Sequence, residues 1–243
     1  MFKRIHGGNL KMKLYKLILT TIVALMFATG SAMAFKGVSI GVFGSTGDLD
    51  ANGHEIEGSG DQEKTTTSKS SSVEYGGIFG EVTGGTDHLS FTVGISYVPG
   101  SASWDASTRT DATSDVKEDS QDDGTYSAKA EVEGFTTLYV EPGVMFNESF
   151  GVYGKAGGSV VTVNTLESIA IGTDSSAYGN VDVWGATYGV GLKYVSSAGL
   201  FLKLEHTKTD FDEITLNSTT GNKNNITADI DVTATTLAIG YTF

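Results

Sequence analysis

The sequence predicts an all-β protein, an eight-stranded antiparallel up-and-down barrel, and three observations support this prediction. Large apolar residues alternate with small or polar ones, most clearly over Leu89–Tyr97, which is the two-residue period of a strand with one apolar face. The chain has 32 glycines but only two prolines, Pro99 and Pro142, and this composition favours sheet. The links between the alternating segments are long and short in turn. This indicates a meander whose long links all emerge at one end.

The first 34 residues have the features of a secretory signal peptide. Basic residues precede an apolar run from Leu17 to Phe27, and Ala32-Met33-Ala34 follows as a cleavage signal. The run is about half as long as the ~20 residues that a membrane-spanning helix needs. Met12 is a candidate start, because the stretch MKLYKL begins like a signal peptide; a signal anchor or a buried helix is the alternative. We therefore expect an exported barrel domain over residues 35–243.

The expected exported chain is strongly acidic. The leader holds five of the 16 Lys and Arg residues and none of the 29 Asp and Glu residues, so the rest of the chain carries a formal charge of −18. Such a chain has no electrostatic attraction to nucleic acid, which is not expected as a partner. There is no cysteine, so we expect neither disulfides nor thiolate metal sites.

Eight segments show the strand pattern. In order they are FKGVSIGVFG, SSVEYGGIFGEVT, LSFTVGISYV, AEVEGFTTLYVEPGV, FGVYGKAGGSVVTV, ATYGVGLKYV, LFLKLEHT and the C-terminal ATTLAIGYTF. In the second and fourth segments the assignment of residues to a face stays open. The long polar links, such as residues 45–71 and the acidic stretch 100–127, are predicted loops, and both ends of the barrel chain are expected at the short-turn end.

The residues opposite the apolar face indicate which solvent surrounds the barrel. They are glycine, serine and threonine with few charges, whereas the surface of a soluble β-protein carries many Lys and Glu residues. A charge exposed to lipid at mid-depth costs about 2–4 kcal/mol, so these charges are expected inside the barrel. The predicted lumen charge network is Glu141, Lys155, Lys193, Lys203 and Glu205. We therefore predict a transmembrane barrel rather than a soluble sandwich or a lipocalin-like barrel.

The chain ends within a strand and on an aromatic residue. Leu237, Ile239, Tyr241 and Phe243 alternate with small or polar residues. This ending resembles the C-terminal signature of bacterial outer-membrane proteins. The resemblance implies that these four residues form the signal read by the barrel-assembly machinery, with periplasmic chaperones as further partners during biogenesis.

As an architecture, residues 35–243 resemble the small OmpA/OmpX-type outer-membrane barrels, which have eight strands, long outer loops, short inner turns and charged side chains inside. The resemblance implies the outer membrane of a Gram-negative bacterium, with outer-membrane lipids and lipopolysaccharide as surroundings. It also implies periplasmic chain ends and extracellular loops. The peptidoglycan-binding domain of full-length OmpA relatives does not follow Phe243, so a tether of that kind is not expected.

Three functions remain open for such a barrel. The first is a non-enzymatic protein that supports membrane integrity and interacts through its surface loops with an unknown extracellular ligand. The alternative is a small-conductance pore, because interior glycines leave gaps that could hold water in an otherwise filled eight-stranded lumen. The third is a lipid-modifying enzyme, but Glu205 and His206 point to opposite faces of a strand. The barrel lipid A deacylases, moreover, carry His-x-Ser where this chain has His206-Thr207-Lys208, so no catalytic residue is predicted.

One stretch of the first long link resembles a calcium loop. Residues 48–53, DLDANG, match the first half of an EF-hand loop, with Asp48, Asp50 and Asn52 as the ligands. The twelfth position, which supplies a bidentate Glu in that motif, is Ser59. Calcium held by this loop is one interpretation and a solvated acidic loop is the other; no other cofactor is predicted.

Overall fold

The computed structural model describes residues 37–57, 63–103, 107–111, 124–171, 178–217 and 225–243. The predicted leader and most of the acidic stretch 100–127 lie outside these residues. No helix in the described ranges is long and apolar enough to cross a membrane.

The described residues form eleven strands in one antiparallel sheet. The strands are β1 (Gly37–Glu57), β2 (Glu63–Gly85), β3 (Leu89–Tyr97), β4 (Ser101–Ser103), β5 (Ser107–Asp111), β6 (Gly124–Met145), β7 (Phe150–Ile171), β8 (Asn180–Val195), β9 (Leu200–Phe211), β10 (Ile214–Asn217) and β11 (Asn225–Thr242). Eight of them form a hydrogen-bonded ring in the order β1-β2-β3-β6-β7-β8-β9-β11, which pairing between β1 and β11 closes. The short strands β4 and β5 pair with β6 beyond β3, and β10 pairs with β11 beyond β9. The predicted eight-stranded antiparallel barrel is confirmed.

The longest strands are about twice as long as a membrane crossing requires. β1, β2, β6 and β7 have 21 to 23 residues, whereas a tilted transmembrane strand needs about 9–11. The prediction of a loop over residues 45–71 was therefore wrong, because β1 continues to Glu57 and β2 begins at Glu63. The start of β2 is rich in serine and threonine, and threonine has a high preference for strands.

The opposite end of the barrel is made of short turns. The tight links follow β2, β6 and β8, and in the last of them Gly199, at φ +85°, donates its N–H to Ser196 O at 3.0 Å. In the link after β6, Asn147 Oδ1 accepts the backbone N–H groups of Ser149 and Phe150, both at 2.9 Å. Gly37 and Phe243 lie at this same end, because the start of β1 pairs with the end of β11, with Ser39 opposite Thr242.

The apolar faces of the strands point away from the barrel axis. In β11, β9 and β1 every second residue near the short-turn end is large, apolar and exposed, and the same holds for most of β3 and β8. This agrees with a lipid-facing surface, since a soluble barrel would bury these side chains inside.

The interior contains two separate apolar clusters. The inner cluster lies near the short turns and consists of Phe79, Val195, Phe201 and Ala238. The outer cluster lies in the part of the barrel beyond the membrane crossing and consists of Leu49, Val161, Val163, Val183, Phe211, Ile214 and Ile230. The outer cluster was not expected from the sequence, and it explains why the long strands stay together where no lipid surrounds them.

Candidate functional site

Between the two apolar clusters, the described strands bring six charged side chains into the lumen. They are Glu81 from β2, Glu141 from β6, Lys155 from β7, Lys193 from β8, and Lys203 and Glu205 from β9. We call these six residues the lumen charge network. The structure places all five residues of the predicted network together and adds Glu81 to them.

Lys203 is at the centre of the network and is only 2% exposed. Its Nζ donates to Glu81 Oε1 and to Glu141 Oε2, the latter at 2.7 Å, and lies 4.0 Å from Glu205 Oε1. Lys155 donates to Glu205 Oε2 at 2.8 Å and lies 3.5 Å from Glu141 Oε1. Three lysines thus face three glutamates, and this balance offsets the cost of taking the charges out of water.

Two tyrosines complete the network. Tyr139 donates its O–H to Glu81 Oε1 at 2.8 Å, and Tyr153 donates to Glu205 Oε1 at 2.6 Å. The ammonium group of Lys155 lies 3.9 Å from the centre of the Tyr139 ring, a cation–π contact. Neither tyrosine was predicted from the sequence.

The interior glycines are covered by aromatic rings from neighbouring strands. A Cβ added at Gly94 would lie 2.5 Å from the Tyr139 ring. Gly191 and Gly240 are covered in the same way by the rings of Tyr153 and Phe201. The expectation that these glycines leave water-sized gaps was therefore wrong at these positions. Glycine is needed there because a ring lies flat on its backbone.

A row of hydroxyl groups lies on the outer side of the network. Thr137, Ser159, Thr187 and Thr209 are joined by hydrogen bonds of 2.8, 2.6 and 2.7 Å across four strands. Each hydroxyl can donate and accept, so such a row satisfies itself without a charge. It separates the charged layer from the apolar interior beyond it.

Glu81 is the charge that sequence reasoning missed, because the faces of the second predicted strand were left open. The signal was present. A charge in a membrane-spanning strand is expected to face inwards, and this alone would have put Phe79, Glu81 and Thr83 on the lumen face. In the structure Glu81 is 3% exposed.

The three proposed calcium ligands lie on a strand and not in a loop. Asp48, Asp50 and Asn52 alternate along β1, which pairs with β2 on one side and β11 on the other. Asp48 accepts a hydrogen bond from Ser72 at 3.2 Å. The loop conformation that the EF-hand likeness requires is therefore absent from β1, and no group of three or more acidic, His or Cys side chains in the described residues has a metal-binding arrangement. Calcium binding by this strand face stays a prediction.

Polar side chains occupy the outward face of β9 beyond its apolar part. His206 points outwards and contacts Thr235 Oγ1 through Nδ1 at 3.1 Å, whereas Glu205 points into the lumen, as expected. Farther out, Lys208 Nζ lies 2.6 Å from Asp210 Oδ1, and Tyr188 donates its O–H to Asp210 Oδ2 at 2.9 Å. Because charges facing lipid are costly, such an outward ion pair is expected at the aqueous boundary of the membrane.

The four residues of the C-terminal pattern all face outwards. Leu237, Ile239, Tyr241 and Phe243 are exposed, and the rings of the last two meet edge to face at 5.2 Å. β11 pairs with β9 and with β1, and the Phe243 N–H donates to Val38 O at 2.9 Å. The last strand is thus fixed on both edges.

A closed antiparallel barrel with an apolar outer face and a charged, paired interior defines a class of membrane protein. The chain belongs to the outer membrane protein beta-barrel domain family, which matches residues 20–243. The protein is therefore an outer-membrane barrel of bacteria.

Among solved structures, the chain is similar to the outer membrane protein OprG of Pseudomonas aeruginosa. The identity is 15%, the alignment covers 87% of this chain and 99% of OprG, and the TM-score is 0.54. The outer membrane protease OmpT of Escherichia coli aligns with 10% identity, 88% and 99% coverage and a TM-score of 0.41. Ail, the attachment invasion locus protein of Yersinia pestis, aligns with 10% identity, 83% and 99% coverage and a TM-score of 0.33. The likeness to OprG shows the fold alone. No curated protein sequence matches the chain.

Proposed function

We propose that the protein is a non-enzymatic barrel that supports the outer membrane with a closed body and contacts its surroundings with its outer end. The lumen charge network is the observation that carries this proposal. Lys203 bridges Glu81 and Glu141 across the lumen, and the cavity beside these side chains measures only about 50 Å³. A space of this size holds a few water molecules and no continuous aqueous path.

The proposal includes the setting of the barrel. The short turns and both chain ends lie in the periplasm, the long strands extend outside, and outer-membrane lipids and lipopolysaccharide surround the apolar face. The C-terminal pattern from Leu237 to Phe243 is the signal for the assembly machinery and periplasmic chaperones, and its four outward side chains support this. An edge-to-face aromatic pair at the end of the strand gives a receptor a distinct surface to bind.

A small-conductance pore is the second candidate, because the lumen is charged at the level where a selectivity filter would lie. Single-channel recording in a planar bilayer, with refolded protein starting at Phe35, separates the two proposals. We expect no discrete conductance steps. Heat-modifiable gel mobility shows that the barrel in the same preparation is folded, and protection from added protease in liposomes shows that it has inserted.

Discrete conductance steps would contradict the first proposal. Reproducible steps in the unsubstituted protein that change when Lys193→Met or Glu205→Gln is introduced would make the lumen a pore. Lys208→Met, on the outer face, is the matched control and must leave any such steps unchanged, since its side chain is 40% exposed outside the lumen.

A further inference from the structure

The hydrogen-bond register makes rows of side chains climb the outer wall of the barrel. From Leu200 in β9, the directly paired residues lead through β11, β1, β2, β3, β6, β7 and β8 back to β9 at Asp210, ten residues farther out. Each row of paired outward side chains is therefore a ridge that winds upwards, as the tilt and stagger of a closed barrel require. The spaces between neighbouring ridges are grooves open to lipid.

Two open spaces of about 790 and 570 Å³ adjoin on the outer wall and lie between the same two ridges. The lower ridge begins with Leu89, Val144, Val152, Leu192 and Leu204. It continues with Leu237, Gly44 and Gly76. The upper ridge includes Gly154, Val190, His206, Thr235, Thr46 and Glu74. Leu204 and Thr235 line both spaces, so the two form one continuous groove, which we call the wall groove.

The wall groove changes from apolar to polar as it climbs. Its ridges are apolar from β3 to β8, but from β9 onwards the upper ridge presents the imidazole of His206, the hydroxyls of Thr235 and Thr46, and the carboxylate of Glu74. His206 Nδ1 lies 3.1 Å from Thr235 Oγ1. In the part of the chain that the structure describes, no lysine or arginine lines the groove. The groove thus has the polarity of a single amphiphile, with the tail low and the head high.

The dimensions of the wall groove match those of a lipid in one leaflet. Its lower part crosses five strands, from β3 to β9, and four strand spacings of about 4.8 Å make about 19 Å. Half of a hydrocarbon core is about 15 Å, so this part has room for one acyl chain. The whole groove crosses eight strands, and seven spacings at a tilt of about 40° rise about 22 Å, close to the ~25 Å height of the apolar band. The polar end therefore lies at the outer edge of this band.

Two glycines deepen the wall groove. A Cβ built at Gly44 meets no atom within 4 Å, and one built at Gly154 meets only Gly189 O, at 4.0 Å. Both positions therefore have open space on the lipid side, whereas the interior glycines are covered by aromatic rings. A methylene chain can lie against the backbone at these two points, and a side chain there would occupy its place.

We propose that the wall groove binds one molecule of lipopolysaccharide, with an acyl chain in the apolar part and the sugar hydroxyls of lipid A at the polar end. Hydroxyl, imidazole and carboxylate groups together donate to and accept from sugar hydroxyls. Without a basic partner in the groove, Glu74 repels the phosphodiester of a phospholipid head placed there. The phosphates of lipid A stand at opposite ends of its disaccharide and can lie outside the groove. This binding rests on the proposed setting, in which the polar end faces the outer leaflet.

The test uses the refolded protein in phosphatidylcholine nanodiscs, into which hexa-acylated lipid A is titrated while methyl NMR signals are recorded. We expect saturable shifts of the methyl signals of Val190 and Leu204, which line the groove. The methyl signals of Val42 should not shift, because this side chain also faces lipid but lies outside the groove. Heat-modifiable gel mobility shows that each variant below is folded.

The tail site is tested by filling the groove. Gly154→Leu should raise the half-saturating fraction of lipid A at least tenfold. Gly80→Leu is the matched control and should leave it unchanged, because Gly80 also faces outwards, opposite Ile40, and a Cβ there meets only Ser39 O at 4.0 Å. If Gly154→Leu fails to fold, Gly44→Leu serves as the second blocking variant.

The head site is tested with Thr235→Val, which removes a hydroxyl and keeps the shape of the side chain. It should weaken lipid A binding at least threefold, whereas Thr233→Val, on the same strand but outside the groove, should have no effect. Phosphatidylethanolamine, which has acyl chains but no sugar, should bind at least tenfold more weakly than lipid A.

Three results would overturn the proposal. The first is a set of shifts that rise linearly with lipid A and are equal in the blocking variants, since these report the general composition of the bilayer. The second is saturable binding that neither Gly154→Leu nor Gly44→Leu weakens. The third is equal binding of phosphatidylethanolamine, which would make the site one for acyl chains of any lipid. None of these results bears on conductance, so the closed body of the barrel is judged separately by planar-bilayer recording.

Discussion

The ammonium group of Lys203 lies between the carboxylates of Glu81 and Glu141, with almost no contact with solvent. Without this positive charge, the two carboxylates would remain buried next to each other and to Glu205. One oxygen of Glu81 and one of Glu141 are already without a hydrogen-bond partner in the described structure. Lys155 and Lys193 lie 3.5 and 3.9 Å from these two oxygens, so they would offset only part of the loss of Lys203.

Lys203→Met is expected to lower the free energy of unfolding by about 3–5 kcal/mol, the usual cost of leaving a buried charge uncompensated. Urea unfolding in detergent micelles, followed by heat-modifiable mobility, measures the loss. Lys208→Met removes an exposed lysine from the same strand and should have little effect. Combining Lys203→Met with Glu81→Gln removes one charge of each sign and should recover part of the loss, whereas a strictly additive result would contradict the pairing.

At the scale of the strands, the pairing of a glycine with an aromatic ring holds the interior together. The Tyr139 ring lies on the backbone of Gly94 in β3, and the Tyr139 O–H reaches from there to Glu81 in β2. A side chain at position 94 would displace the ring and break this hydrogen bond. The three strands β2, β3 and β6 are thus joined by side chains as well as by their backbone ladders.

Gly94→Ala is expected to destabilise the barrel by about 1–3 kcal/mol, as overpacking does in a filled core. Gly84→Ala is the matched control, because a Cβ there meets nothing within 4 Å. The two variants are compared by urea midpoint and by the tyrosine signals in the near-ultraviolet circular dichroism. Equal stability of the two variants would show that the ring does not need the glycine.

The surroundings of each strand also explain how much of the fold and of the lumen charge network could be predicted from the sequence. Where lipid surrounds a strand, apolar residues must face outwards, so Leu89–Tyr97 could be assigned from its alternation. Beyond the membrane this constraint ends, and the Ser- and Thr-rich start of β2 has the composition of a loop. Five of the six lumen charges were found because a charge cannot face lipid. Their partners could not be found, since pairs such as Lys203 with Glu81 depend on the register around the closed ring.

At the scale of the whole molecule, the barrel is asymmetric along its axis. The short turns follow immediately on the apolar band, whereas β1 and β2 continue beyond it and enclose the outer apolar cluster. An element of this length does not fit within the membrane, so it must project into water on one side only. The lumen charge network lies near the opposite end.

This asymmetry makes the proposed orientation testable with single cysteines, because the chain has none of its own. Ser103→Cys is in the projecting part and Ser197→Cys is in a short turn, and both side chains are exposed. In intact cells, a bulky membrane-impermeant maleimide should label Ser103→Cys and should reach Ser197→Cys only after the outer membrane is permeabilised. Both variants must react fully when purified. Labelling of Ser197→Cys in intact cells, with Ser103→Cys protected, would place the long strands in the periplasm instead.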